Sequence, residues 1–286
     1  MKKTILILSL LLLTAFNLNA SSLRISSNEL YQTNIKYKIL DTREENFYTI
    51  SHLPEAINFP VSSTYEHAEV DGKLTDPFSM QKIIQNLGLN ENDTLVIYDD
   101  GSFFDAARLF WALEVYGFKN VKLLDLGFSE WKKSGLPTST KNPSIVKSNY
   151  ITIIDNNRLA TKFATQIAIK NPNQIIIDAR PAKAYLGEVS AAKRFGHIPK
   201  AKNIPATHNI NSSSTTQTLK HIDALKNIYK DIPKEKKVIL YCAIGKISAT
   251  NYFALRELGY NVSNYDASWK EWGNDFKLPV VNPSQK

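Results

Sequence analysis

One cysteine, Cys242, stands in 286 residues, and its neighbours are of the types that would make a thiol reactive. The run Leu240-Tyr241-Cys242-Ala243-Ile244-Gly245-Lys246-Ile247-Ser248 passes from a short apolar segment into a glycine-containing turn. A helical pattern then covers residues 247–258. Successive amide N–H groups in such a turn can converge on one point, and the following helix N-terminus adds roughly half a positive charge. Both favour the thiolate over the thiol. Lys246 brings a side-chain cation to the same turn. A cradle made of Ala243, Ile244, Gly245, Lys246 and Ile247 also suits the terminal sulfur of a persulfide or an oxyanion substrate. A free cysteine is more often a small buried hydrophobe. Its place between a strand end and a helix start argues for chemistry instead.

Several other chemistries are set aside. One cysteine cannot form an internal disulfide, a Cys-x-x-Cys redox pair or a multi-thiolate metal site. A Cys-x5-Arg phosphatase loop needs a guanidinium fork on phosphate, and the sixth residue after Cys242 is Ser248.

The elements that must carry Cys242 occur twice. Asp41-Thr42-Arg43 matches Asp178-Ala179-Arg180. His52-Leu53-Pro54 matches His197-Ile198-Pro199, and Leu95-Val96-Ile97-Tyr98 matches Val238-Ile239-Leu240-Tyr241. The turn from Asp125 to Trp131 matches that from Asp266 to Trp272, and Leu136-Pro137 matches Leu278-Pro279. These pairs keep the same order at offsets between 137 and 145 residues. Each copy has short apolar runs alternating with helical segments, at 104–116 and 247–258, each followed by a glycine, Gly117 or Gly259. Continuous apolar strands alternating with helices predict an α/β fold, a mostly parallel sheet flanked by helices. Two domains are expected, at residues 22–140 and 149–286, joined by the Ser-, Pro-, Thr- and Lys-rich stretch 134–148. In such sheets ligands bind beyond the C-terminal strand ends, where Cys242 falls.

With 43% hydrophobic and 22% charged residues the composition is that of a globular protein. Lys2 and Lys3, an apolar run over residues 5–16, and Ala20 read as a secretory signal peptide over residues 1–20. The run is shorter than the roughly 20 residues a membrane span needs, and no later segment reaches that length. Export to an oxidising, periplasm-like space is the expectation. Without the two leader lysines the formal charge falls from +8 to +6. The basic residues are scattered, which gives nucleic-acid binding no footing. Two self-covering domains imply a monomer.

The duplicated layout resembles the tandem-domain rhodanese family of sulfurtransferases, from about Leu30 to Pro279. The resemblance rests on Asp178-Ala179-Arg180, Tyr185-Leu186-Gly187-Glu188, Gly196-His197-Ile198-Pro199, the Cys242 turn and the Trp269–Trp272 turn. It implies two rhodanese-like domains, the first non-catalytic and the second catalytic, with Cys242 heading a six-residue loop from Cys242 to Ile247. In the first domain Asp99-Asp100 stands where Cys242 stands, in a loop that the count makes one residue longer. The implied reaction moves a sulfane sulfur from a small donor of the thiosulfate or 3-mercaptopyruvate class onto Cys242. A thiophilic acceptor, cyanide or a thiol, then removes it. The resemblance implies no metal and no organic cofactor.

Departures from the family pattern bear on the donor. Loop positions two and three are Ala243 and Ile244, neither the basic pair of thiosulfate-specific members nor the Gly and Ser of mercaptopyruvate-specific ones. Where the family often has a donor-binding Arg this chain has Ala184, beside Lys183. Ile244 at the pocket mouth points to a larger or less charged substrate. Arg180, Lys183 and Asp178 are the expected supporting residues, Asp178 and Arg180 chiefly as a strand-end ion pair. His52 and His197 read as structural, and Trp269 and Trp272 as core. Glu188 is a candidate to orient Lys246 or Arg180. The competing reading is a sulfur carrier or binding module without turnover, serving a protein sulfur acceptor.

Overall fold

In a computed structural model of the chain the described residues are 22–66, 70, 72–212 and 216–285. The leader-like segment 1–20 lies outside them. No helix among the described residues is long and apolar enough to cross a membrane.

The first half builds β1 (Arg24–Ile25), α1 (Ser27–Gln32), β2 (Lys38–Asp41), α2 (Glu45–Ile50), β3 (Ile57–Asn58), α3 (Pro77–Asn86), β4 (Thr94–Tyr98), α4 (Phe104–Val115), β5 (Asn120–Leu124) and α5 (Gly127–Lys133). The second builds β6 (Leu159–Ala160), α6 (Lys162–Ala168), β7 (Gln174–Asp178), α7 (Ala182–Leu186), β8 (Lys202–Asn203), β9 (Ile210–Ser212), β10 (Gln217–Leu219), α8 (Ile222–Ile228), β11 (Lys237–Tyr241), α9 (Ser248–Glu257), β12 (Val262–Tyr265) and α10 (Ser268–Trp272). Two five-stranded sheets result, ordered β1-β5-β4-β2-β3 and β6-β12-β11-β7-β8, with every pairing parallel. The two-fold repeat in the sequence is thus a two-fold repeat of one parallel α/β fold. Leu95 to Tyr98 and Val238 to Tyr241 are buried throughout because helices cover both sheet faces.

In each sheet the chain leaves the central strand pair in opposite directions. From β7 it crosses to β8, and from β11 it crosses to β12 on the other side. Tyr241 pairs in register with Asp178, so the turns that follow β7 and β11 open side by side at the switch point.

The halves meet along α4 and α9. Phe110 packs edge-on against Phe253 with ring centroids 4.8 Å apart, and Phe103 meets the same ring at 5.5 Å. Glu114 receives Arg256 in a two-pronged ion pair (2.8 and 3.0 Å) and the Tyr252 hydroxyl at 2.5 Å. Since α4 and α9 follow the Asp99 and Cys242 turns, their packing brings the two turns together at the seam.

Three features differ from the sequence reading. The β9–β10 hairpin and the two-residue edge strands are too short to leave a periodicity. The helix after the cysteine turn begins at Ser248, with Ile247 as its cap. The connecting segment runs on without regular structure to residue 158 and is tied to the first half. Trp131 Nε1 donates to Pro137 O, Ser139 pairs with His52, and the Tyr150 hydroxyl donates to Tyr116 O.

Candidate active site

The floor of the site is a buried polar knot at the ends of β7 and β11. Arg180 clasps Asp178 through Nε (3.0 Å to Oδ1) and Nη2 (2.6 Å to Oδ2) and donates to Gly196 O at 2.7 Å. Tyr241 donates its hydroxyl to the same carboxylate at 2.6 Å and accepts from the Ile198 amide at 3.1 Å. Burial, then the Asp178 charge, pushes this phenol far above its ordinary pKa, so it stays a donor. The Arg180 guanidinium lies 4.4 Å from the Trp269 ring centroid.

The first half reproduces the knot. Arg43 clasps Asp41 and donates to Ser51 O, Tyr98 donates to Asp41, and Arg43 sits 3.9 Å from the Phe128 ring centroid. His52 and His197 behave alike, each stacked on a tyrosine (Tyr48 and Tyr185) and bonded through Nδ1 to that tyrosine's carbonyl. A network present under both turns fixes turns; it does not perform the chemistry of one. Lys183 is exposed on α7 and makes no ion pair among the described residues.

Above this floor sits the cysteine turn. Cys242 is only 1% exposed and packs with Ala179, Ala206, Phe104 and Ile247. Ala243, Ile244, Lys246 and Ile247 are half-buried and form the approach. The rim is held from α10: Cys242 N donates to Ser268 Oγ at 3.1 Å, Trp269 N to Cys242 O, and Lys270 N to Ala243 O. Gly245 has φ +77°, and a Cβ there would fall 2.4 Å from the Asp266 carbonyl oxygen, so only glycine fits. None of the five amides from Ala243 to Ile247 donates to another group among the described residues. At the start of a ten-residue helix, such amides form an anion cradle.

Sequence reasoning missed what the first half contributes. Arg108 of α4, fully buried, reaches across the seam. It donates to Gly245 O at 3.0 Å, to Gly72 O at 2.8 Å and to Asp266 Oδ1 at 2.9 Å. Asp266 in turn accepts from the Leu74 amide at 2.6 Å. Gly72 (φ +90°) lies against Ile244, and a Cβ there would stand 3.2 Å from that side chain. Gly72 and Leu74 therefore cover the cysteine turn from the other domain. The available signal was a lone arginine inside the otherwise apolar run Ala106-Ala107-Arg108-Leu109-Phe110-Trp111.

Lys246 is not a free cation. Its Nζ lies 2.5 Å from Asp105 Oδ1 in the first turn of α4. Burial works against its charge, but the hydrogen bond and charge of Asp105 outweigh this and raise its pKa. Asp105, not Glu188, orients Lys246, and Asp178 holds Arg180, so Glu188 has neither role.

Asp99, at the position of Cys242, fills its own turn. Its carboxylate accepts from Gly101 N (2.8 Å), Ser102 Oγ (3.1 Å) and Ala106 N (3.3 Å), while Asp100 accepts from Ser102 N. Burial pushes the Asp99 carboxyl up to about 6 against the opposing pull of those amides. The longer loop expected here is absent. α4 begins at Phe104, the fifth residue after Asp99, whereas α9 begins at Ser248, the sixth after Cys242. Phe103 takes a left-handed conformation (φ +72°) and sends the chain into the helix early, so the extra length lies in the helix.

This architecture, two α/β domains with one cysteine-headed turn and one acidic one, defines a tandem rhodanese. The chain belongs to the family of the rhodanese-like domain, whose model matches residues 26–134 and 160–275. It is similar to a putative thiosulfate sulfurtransferase of Haloferax volcanii, 33% identical over 244 residues, covering 82% of this chain and 84% of the relative. The sulfur carrier protein TtuD of Thermus thermophilus is 30% identical over 263 residues, covering 86% and 91%. The 3-mercaptopyruvate sulfurtransferase of Escherichia coli is 29% identical over 240 residues, covering 82% and 84%. The crystal structure of SseA from Escherichia coli superposes with a TM-score of 0.77 at 26% identity, over 87% of this chain and all of that one.

Proposed function

We propose that this protein is a sulfurtransferase working through a persulfide on Cys242, with a small anionic donor of the thiosulfate or 3-mercaptopyruvate class. The observation that carries this reading is the set of five unpaired amides around a buried cysteine at the start of α9. With thiosulfate, the Cys242 thiolate attacks the outer sulfur. The sulfur–sulfur bond breaks, its electron pair leaves with sulfite, and Cys242 becomes a persulfide anion held by the amides. Cyanide then attacks the outer sulfur, thiocyanate departs, and the thiolate is restored. The chain's own residues supply the cradle and the covered pocket, and splitting one transfer into two displacements lowers each barrier. The loop's one charged side chain, Lys246, is paired with Asp105. Donor binding therefore leans on backbone amides more than on side-chain cations.

The test is thiocyanate formation from each donor with cyanide as acceptor. Turnover with either, abolished in Cys242→Ser, is the expected outcome; no turnover and no sulfur uptake would overturn the reading. A second reading draws on the resemblance to the Thermus thermophilus sulfur carrier protein: Cys242 loads sulfur and yields it only to a partner protein. In that case sulfur would be gained but not released to cyanide. The leader-like residues 1–20 support a further proposal, export to a periplasm-like compartment.

A further inference from the structure

Tyr65 carries a buried hydroxyl with no hydrogen-bond partner among the described residues. A buried donor without an acceptor costs on the order of 1–3 kcal/mol, so such a group calls for an explanation. Its surroundings supply one. Tyr65 bridges to Leu74, whose amide is tied to Asp266 beside the cysteine turn. Two residues before Leu74, Gly72 touches Ile244. The phenol ring lies 5.5 Å from the Arg108 guanidinium. The charges that act on the hydroxyl are those of Arg108, Lys246, Asp105 and Cys242. Burial is the largest influence on it and raises its pKa, which keeps it a neutral donor.

The second half provides an internal control. A short 3-10 turn, Val61–Thr64, ends at Tyr65; its counterpart, Ala206–Asn209, ends at Ile210. Ile210 begins the hairpin that covers the Asp99 turn, where Gln217 N donates to Gly101 O. Thus the cover over the turn that has no cysteine is apolar at this position, and the cover over the cysteine turn carries a phenol.

Resting on the sulfurtransferase reading, we infer that the Tyr65 hydroxyl donates a hydrogen bond to the oxyanion that leaves the transferred sulfur. With thiosulfate, the sulfur–sulfur bond breaks and sulfite takes the electron pair; Tyr65 meets the charge growing on the sulfite oxygens and keeps its proton. The second displacement, in which cyanide takes the sulfur and Cys242 is the leaving group, makes no use of it.

The experiment times the two half-reactions separately by intact mass, using sodium thiosulfate and then cyanide, in wild type and Tyr65→Phe. Phenylalanine keeps the ring beside Arg108 and removes only the hydroxyl. Losing a hydrogen bond to a charged group predicts loading about 10- to 100-fold slower. Removal by cyanide should stay within about twofold, the size of a substitution that removes no contact of that step. In parallel, sulfite binding to the loading-incompetent Cys242→Ser protein should weaken about tenfold when Tyr65→Phe is added, for the same reason. Equal loading rates, equal slowing of both half-reactions, or unchanged sulfite affinity would each overturn the assignment. A wild type that takes no sulfur and a Cys242→Ser protein that binds no sulfite would instead remove the sulfurtransferase reading, and the assignment with it.

Discussion

The Asp99 and Cys242 turns occupy the same place in two copies of one fold, above the same buried Asp–Arg–Tyr knot, and differ in what fills them. In the first, two acidic side chains of the turn itself take up the amides of Gly101, Ser102 and Ala106. In the second, five amides around a cysteine have no acceptor among the described residues. Both turns are covered from the opposite domain, one by β9–β10, the other by Gly72 and Leu74. A fold duplicated whole can therefore keep its scaffold twice and its chemistry once. The half without the cysteine is not idle: it supplies Arg108, Asp105 and the cover over the working turn.

The comparison can be broken most forcefully at Arg108. Arg108→Leu strips the ion-pair partner from the buried Asp266 and leaves the Gly245 carbonyl with Asn264 Nδ2 alone. Breaking a buried ion pair from one side costs roughly 3–5 kcal/mol. The expected outcome is a matching drop in unfolding free energy in denaturant, together with reduced sulfur loading. A stable variant with full activity would show that the first domain does not shape the second domain's turn.

A smaller effect sharpens the comparison at Asp99. Its carboxyl titrates near 6 in the folded protein, above its ordinary value, because it is buried. For a raised acid, the stabilisation is fully present below the unfolded pKa and is lost as pH rises through the folded one. Wild type should therefore lose roughly 2–3 kcal/mol between about pH 4 and 7 from this group. Asp99→Asn should lack that loss. Urea unfolding of both proteins at the two ends of this range measures it, and parallel pH profiles would refute it.

Much of this comparison was legible in the sequence because the matched residues are those with buried partners. Asp41 and Asp178, Arg43 and Arg180, and Tyr98 and Tyr241 recur because the knot they form admits few substitutes. The helix after Cys242 and its closing glycine could be read for the same local reasons. Arg108, Asp105 and Tyr65 could not. They lie more than a hundred residues from Cys242 and reach it only because α4 packs on α9, which no local pattern records. The pairing of Lys246 was hidden for the same reason. The length of the first turn was misread because residue counts do not reveal that Phe103 turns left-handed and starts its helix early.

The central claim is that an open cradle, and not a thiol alone, confers the chemistry. Asp99→Cys tests it most directly. A cysteine at 99 would sit in the shorter turn, with Asp100 still holding the Ser102 amide and the hairpin still bonded to Gly101. Intact mass and peptide mapping after thiosulfate or 3-mercaptopyruvate should show one added sulfur, on Cys242, in this variant as in wild type. A second sulfur at position 99 would contradict the account.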